Sequence, residues 1–172
     1  MRKAISLDKY LKEAVRLGAA GARAILARSV VTAAWVRMKC QFGCGGFGQG
    51  LMCPPHSPAP DQTAAVLRCY KRAILIHGTG DHEDVADVAV KIERMVFLDG
   101  FYKAFSMGAG PCRLCRECNP KGGECRHPHE ARPSMEACGI DVFQTARNNR
   151  FPIQVVRDHS CAQDYFGLVL VE

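Results

Sequence analysis

Residues 72–98 read RAILIHGTGDHEDVADVAVKIERMVFL, and this stretch decides the fold. Ala73, Ile74, Leu75 and Ile76 follow one another without a polar break, so Arg72–His77 reads as a buried strand. After a glycine turn, Asp81 caps a helix. Its Val85, Val88, Ala89, Ile92, Met95 and Val96 recur at three- and four-residue steps on one face. A buried strand followed by an amphipathic helix implies a sheet with helices laid on it.

Working outward, Leu7, Tyr10, Leu11, Ala14 and Val15 form one apolar stripe, which predicts a helix over 7–17 with Ser6 as N-cap and Gly18 as stop. Two short strands are expected at Ala24–Ala27 and Thr32–Met38, the second running into Cys40. Asp61 is expected to cap a helix to about Tyr70, and Phe101–Met107 alternates like a strand. Pro133 suits the first turn of a helix over 132–147. Ile153–Val156 and Tyr165–Val171 close the chain as strands. The expected class is α/β or α+β: a small mixed sheet with packed helices and two cysteine-rich metal-binding loops, at about 40–60 and 108–131. The whole chain, 1–172, reads as a single domain of ordinary globular composition, 48% hydrophobic and 23% charged.

Seven of the ten cysteines fall in those two loops, which are rich in glycine and proline. In the second, Cys112, Cys115 and Cys118 stand in the register C-x2-C-x2-C, with Cys125 seven positions on. Three thiols so spaced can wrap one small inorganic core, the habit of loops that hold a 4Fe-4S cluster. A zinc site prefers two separate pairs; Cys112 and Cys115 with Cys125 and His127 would supply one, leaving Cys118 spare. The gap before Cys125 is longer than in the ferredoxin run, so the likeness is to the cluster type and not to ferredoxin.

The first loop carries Cys40, Cys44 and Cys53, one thiol short of a full set. Three outcomes stay open. Cys125, Cys138, Cys161 or His56 supplies the fourth ligand; or the loops exchange ligands, as two-cluster ferredoxins do; or one iron is left open to act as a Lewis acid. A zinc ion that merely pins the loop is the plain alternative. Cys69, beside Val66 on a helix, reads as a packing residue. His127 and His129 read as donors to the ligands or as loop packing.

The start, MRKAISLDKYLKEAV, is too interrupted by charge for a signal peptide, and no apolar run reaches the ~18 residues of a membrane span. The expected place is the cytoplasm, where thiols stay reduced and ten cysteines point to metal or redox chemistry. The net charge is +6, and Arg113, Arg116, Lys121, Arg126 and Arg132 lie in or near the second loop. They offset the negative charge of a thiolate-bound cluster, or meet an anionic partner. Neither loop has the interleaved aromatics of a single-strand binding surface, so nucleic acid is not the expected partner. Gly43–Gly50 lacks the lysine of a P-loop, and no C-x3-C-x2-C trio or nucleophile signature is present.

Taken together, Trp35-Val-Arg-Met-Lys-Cys40, Cys53-Pro-Pro-His-Ser-Pro58, the Cys112–Cys118 run, Cys125-Arg-His-Pro128 and Arg132-Pro-Ser-Met-Glu-Ala-Cys-Gly-Ile-Asp141 resemble a prokaryotic family. It is the domain-of-unknown-function family 2284, whose members are labelled predicted metal-binding proteins. The resemblance implies that Cys40, Cys44, Cys53, Cys112, Cys115, Cys118 and Cys125 are the metal ligands, and it carries no reaction. The leading expectation is a cytoplasmic protein with one or two 4Fe-4S clusters that exchanges electrons with a redox partner protein. The alternatives are an enzyme whose three-cysteine cluster offers an open iron to a small-molecule substrate, and a zinc-stabilised interaction module.

Overall fold

The computed structural model describes residues 6–158 and 161–172; the basic start at 1–5 lies outside them. Among the described residues the helices are α1 (Asp8–Arg16), α2 (Ala34–Gly43), α3 (Pro60–Leu67), α4 (His82–Leu98) and α5 (Val142–Asn148). The strands β1 (Gly21–Leu26), β2 (Arg72–Gly78), β3 (Phe105–Met107) and β4 (Tyr165–Leu170) form one sheet in the order β1-β2-β4-β3. The fold is α+β, and the small sheet is antiparallel at every pairing rather than mixed. No described helix is long and apolar enough to cross a membrane.

The central position of β2 explains its unbroken apolar run. Alternate residues of β2 and β4 point to opposite faces, and both faces are covered. Ile74, Ile76, Val169 and Val171 meet Tyr10 and Ala14 of α1 and Val85, Ala89, Ile92 and Val96 of α4. Ala73, Leu75, Leu168 and Leu170 meet Leu67 of α3, Val142 and Ala146 of α5, and Met135, Cys138 and Ile140 of the connecting turn. The cysteine segments lie with this second layer.

Several expected elements differ. Thr32–Met38 is not a strand: residues 34–43 form α2. Val36 alone on this helix is buried, while Trp35, Met38 and Phe42 face out. Ala34, Met38 and Lys39 are helix formers and carry no preference for a strand. The helix expected over 132–147 is confined to α5. Gly139 adopts a left-handed φ of 74°, and a side chain there would run into Pro60, so the chain turns instead of continuing. Asp141 then caps α5 by accepting the Gln144 N–H at 2.9 Å.

Residues 101–104 turn, with the Ala104 N–H on Phe101 O at 2.8 Å, so the third strand is shorter than its alternation suggested. Residues 153–156 have no strand partner among the described residues; Ile153 is buried and the next three are exposed. Ala59, not Asp61, is the N-cap of α3. Cys69, read as packing, is exposed beyond the end of that helix.

Candidate metal centre

The helix that replaces the expected strand sets the first group of thiols. Cys40 lies in the last turn of α2 and Cys44 at its C-cap, so the two are one helical turn apart on the same side. The chain then folds back: Gly48 takes a left-handed φ of 73°, and its N–H bonds Pro54 O at 2.7 Å. This returns Cys53 beside Cys44. A Cβ placed on Gly46 would lie 3.5 Å from Cys44 Sγ and 3.8 Å from Cys53 Sγ, so a hydrogen at this position leaves the space between the sulfurs open.

The second loop is held at both ends by the body. Gly108 N–H bonds Pro133 O, and Met135 N–H bonds Gly108 O, each at 2.9 Å. Just beyond the loop, Arg132 forms a bidentate pair with Glu93 of α4. Inside it, Asn119 accepts the Gly122 N–H at 3.0 Å, and Gly123 reverses the chain with a φ of 71°, bringing Cys125 back towards Cys112. The two loops touch. Leu51 of the first donates its N–H to Cys118 Sγ of the second at 3.5 Å.

Between them lies a cavity of about 260 Å³ walled by Cys53, Cys112, Cys115, Cys118 and Cys125. Further backbone donors reach the sulfurs: Gly46 N–H to Cys44 and His127 N–H to Cys125, both at 3.4 Å. Thiolate is the form of cysteine that binds metal. Arg113, Arg116 and Arg126 also line this cavity, bringing positive charge to the place where thiolates would gather.

The acid–base environment divides the cysteines in the same way. Burial pushes the Cys112 thiol above its ordinary range, the Leu114 N–H opposes this, and Cys125, Cys115 and Cys118 add to it as neighbouring charges. Burial likewise raises Cys40, with Cys44 next in effect. Cys53 is raised by burial, then by Cys44 and Cys40, then by Cys112 and Cys118. A quartet in the second loop and a trio in the first therefore meet at Cys53.

The other candidate ligands stand apart. Cys138 is fully buried in the core, and burial pushes its thiol up to about 12. Cys161 points its thiol at Asp158, 3.7 Å away. His56 lines a different cavity, with Cys138, behind Met52 and Pro58. None of the three lines the cavity between the loops.

Glu136 escaped the sequence reading. Its Oε2 is buried without a hydrogen-bond partner, burial raises its pKa, and its carbonyl accepts from Cys40 Sγ at 3.9 Å. Its spacing carries no signal, because the contact with Cys40 depends on α2 being a helix.

The donor set fits a soft metal or cluster, since several thiols face one cavity and two of them, Cys118 and Cys125, accept backbone N–H groups. All ten cysteines are free. Among the described residues no three His, Cys, Asp or Glu side chains stand close enough to grip a single ion. Binding would therefore include closure of the thiols on what enters.

A family model matches residues 23–171, a span that contains both loops and all four strands but for the first residues of β1. The chain belongs to the domain-of-unknown-function family 2284 of predicted metal-binding proteins. Among the described residues, α1, the turn after it and the first two residues of β1 precede the part shared with family 2284. No curated protein and no solved structure matches the chain.

Proposed function

We propose that this member of family 2284 is an iron–sulfur protein of the reducing cytoplasm that takes part in electron transfer. In this reading Cys112, Cys115, Cys118 and Cys125 hold one 4Fe-4S cluster and Cys40, Cys44 and Cys53 hold a second. The observation that supports it most is the cavity between the loops, with five thiols on its walls and backbone N–H groups directed at the sulfurs. When bound, such clusters accept and release single electrons, at potentials tuned by hydrogen bonds to sulfur and by exposure. The chain's own residues carry the thiols in two sets, donate N–H groups to some of them, and line the cavity between the loops with Arg113, Arg116 and Arg126. That positive rim suits an acidic redox partner protein.

The test is composition. Protein purified without oxygen should be brown and contain about four or eight irons per chain, with matching sulfide. Colourless protein with stoichiometric zinc would sink the reading and leave a zinc-stabilised interaction module in its place.

A second reading concerns the trio alone. Cys40, Cys44 and Cys53 border a second cavity of about 490 Å³, and Cys138, Cys161 and His56 do not line it. A three-cysteine centre beside an open cavity favours an enzyme in which a small molecule reaches an open iron.

A further inference from the structure

Cys44 and Cys53 face each other across one empty side-chain position. A Cβ built on Gly46 would meet their two sulfurs, at 3.5 and 3.8 Å, and no other atom within 4 Å beyond its own neighbours in the chain. After burial, Cys44 acts on the Cys53 thiol more strongly than Cys40, Cys112 or Cys118 does. The backbone delivers this pairing. Cys44 is the C-cap of α2, and Gly48 N–H on Pro54 O at 2.7 Å folds the chain back so that Cys53 returns to it. Between them Gly45, Gly46, Gly48 and Gly50 leave the turn free to make the small shift that takes two neighbouring sulfurs to the ~2.05 Å of a disulfide.

The two thiols differ in a way that gives each a role. Cys44 is exposed and Cys53 is half-buried. Small oxidants reach the exposed thiol first, and a neighbour beside it resolves what forms there. The third member of the trio is set apart, because the Cys40 thiol donates to Glu136 O at 3.9 Å, against the body of the fold. Cys112, Cys115, Cys118 and Cys125 are spread around the cavity between the loops.

We infer that Cys44 and Cys53 form a reversible disulfide when the trio holds no metal and the surrounding thiol pool turns oxidising. The oxidant is a low-molecular-weight disulfide. The Cys44 thiolate attacks one of its sulfurs, its S–S bond breaks, and one half leaves and takes up the proton that Cys44 lost. The Cys53 thiolate then attacks the Cys44 sulfur of the mixed disulfide, and the second half leaves in the same way. Two cysteines are oxidised, one small disulfide is reduced to two thiols, and two protons pass from the protein to them. The bond takes two of the three thiols, so disulfide and metal exclude each other at this turn, whichever metal the trio takes. In a compartment that keeps thiols reduced, such a bond is transient and reports a change of redox state.

The full chain, stripped of metal and reduced, is treated with oxidised glutathione in the absence of oxygen, and its remaining thiols are alkylated at intervals. No Lys or Arg lies between Cys40 and Arg68, so trypsin leaves the three thiols on one peptide, and cleavage after Phe42 and Phe47 separates them. Fragments joined through Cys44 and Cys53 should appear before any other linkage. In Cys53→Ser the glutathione should stay on Cys44 as a mixed disulfide, and in Cys44→Ser adduct and linkage should both be lost. Cys40→Ser should form the bond as wild type does. Protein that keeps its metal should form it at least about tenfold more slowly, because a metal-bound thiolate is not free to attack.

A first bond elsewhere, or the same mixture of linkages as in the chain unfolded by guanidinium, overturns the inference. So does a glutathione adduct on wild-type Cys44 that never resolves, and so does closure at an equal rate with metal in place. Each of these results leaves the iron–sulfur reading standing, since that reading is decided by iron and sulfide content. A chain purified without iron removes the iron–sulfur reading alone, and the selective bond in metal-free protein still supports this inference.

Discussion

Replacing Arg132 by methionine should destabilise the protein by about 3 kcal/mol, because it breaks a buried ion pair from one side. Arg132 Nε and Nη2 donate to the two oxygens of Glu93 at 2.8 and 2.6 Å. The side chains are only 15% and 11% exposed, so solvent screens the pair little. Removing one partner of such a pair costs about 3–5 kcal/mol, most of it from the charge left behind. Here Glu93 Oε2 keeps two donors, Ser106 N at 2.7 Å and Ser106 Oγ at 2.6 Å, which places the loss at the lower end. For a chain of this size each kcal/mol lowers the melting temperature by about 2–4 °C, so a fall of roughly 6–12 °C is expected.

The pH dependence gives a sharper check. Burial works against the charge on Glu93, but hydrogen bonds from Arg132 and Ser106 outweigh it and hold the carboxyl below its ordinary range. Its folded pKa is therefore below the unfolded one. The stability it contributes is present at neutral pH and is lost as pH falls through the folded pKa. In Arg132→Met the arginine is gone and burial remains, so the carboxyl should move up. The variant then relieves its buried charge by taking a proton, and its deficit against wild type should shrink between pH 7 and about pH 4.5. Thermal unfolding of both proteins at the two pH values measures this. A loss below about 1 kcal/mol, or one unchanged with pH, would refute the account of the pair.

Three further outcomes are expected. Limited proteolysis of metal-free protein should cut within 40–60 and 108–131 and spare α1 and α4, because the loops lack apolar order of their own and gain it from what they bind; cleavage spread evenly along the chain would count against this. Gly46→Ala should lower iron retention at the trio, since its Cβ would enter the space 3.5 Å from Cys44 Sγ, whereas Gly45→Ala, which meets nothing within 4 Å, should not; iron per chain after desalting compares them. Metal-free protein should lose stability above pH 9. The Cys138 thiol is pushed from 9.0 to about 12, chiefly by burial, so the folded state holds its proton more tightly and stability drains as pH rises from the unfolded to the folded value. The share of Cys138 in the loss between pH 8 and 10 is about 1.4 kcal/mol, and Cys138→Ala should lessen the slope by that amount in chemical denaturation, the raised thiols of Cys40, Cys53 and Cys112 keeping the rest.

The parts legible in the sequence are those with a single dominant period. The six residues that mark one face of 82–98 all recur within the helix observed, and Arg72–His77 is the buried centre of the sheet because both of its faces are covered. Edge and turn regions were less legible. The first strand pairs over Gly21–Leu26, but Arg23, Ala24 and Leu26 are exposed, so its inward face leaves little pattern. Residues 132–147 look helical by composition and are broken by one glycine whose neighbour in space, Pro60, lies far away in sequence.

The same limit governs the cysteines. Spacing groups thiols that one short loop can bring together, and Cys112, Cys115, Cys118 and Cys125 are gathered by such a loop around one cavity. Spacing says nothing of contacts made by backbone between loops, such as Leu51 N–H on Cys118 Sγ. Nor does it separate C-x3-C in a loop from C-x3-C on a helix. That distinction matters here, because only a helix sets Cys40 against the turn holding Glu136 while leaving Trp35 on the rim of the neighbouring cavity. The trio is thus carried by a regular element with its own apolar hollow, and the quartet by a loop tied down at its ends. Two sets of thiols carried so differently should respond differently to the same perturbation. Loosening the loop at Arg132 should affect metal held by the quartet first, whereas substitutions on α2 should be felt at the trio.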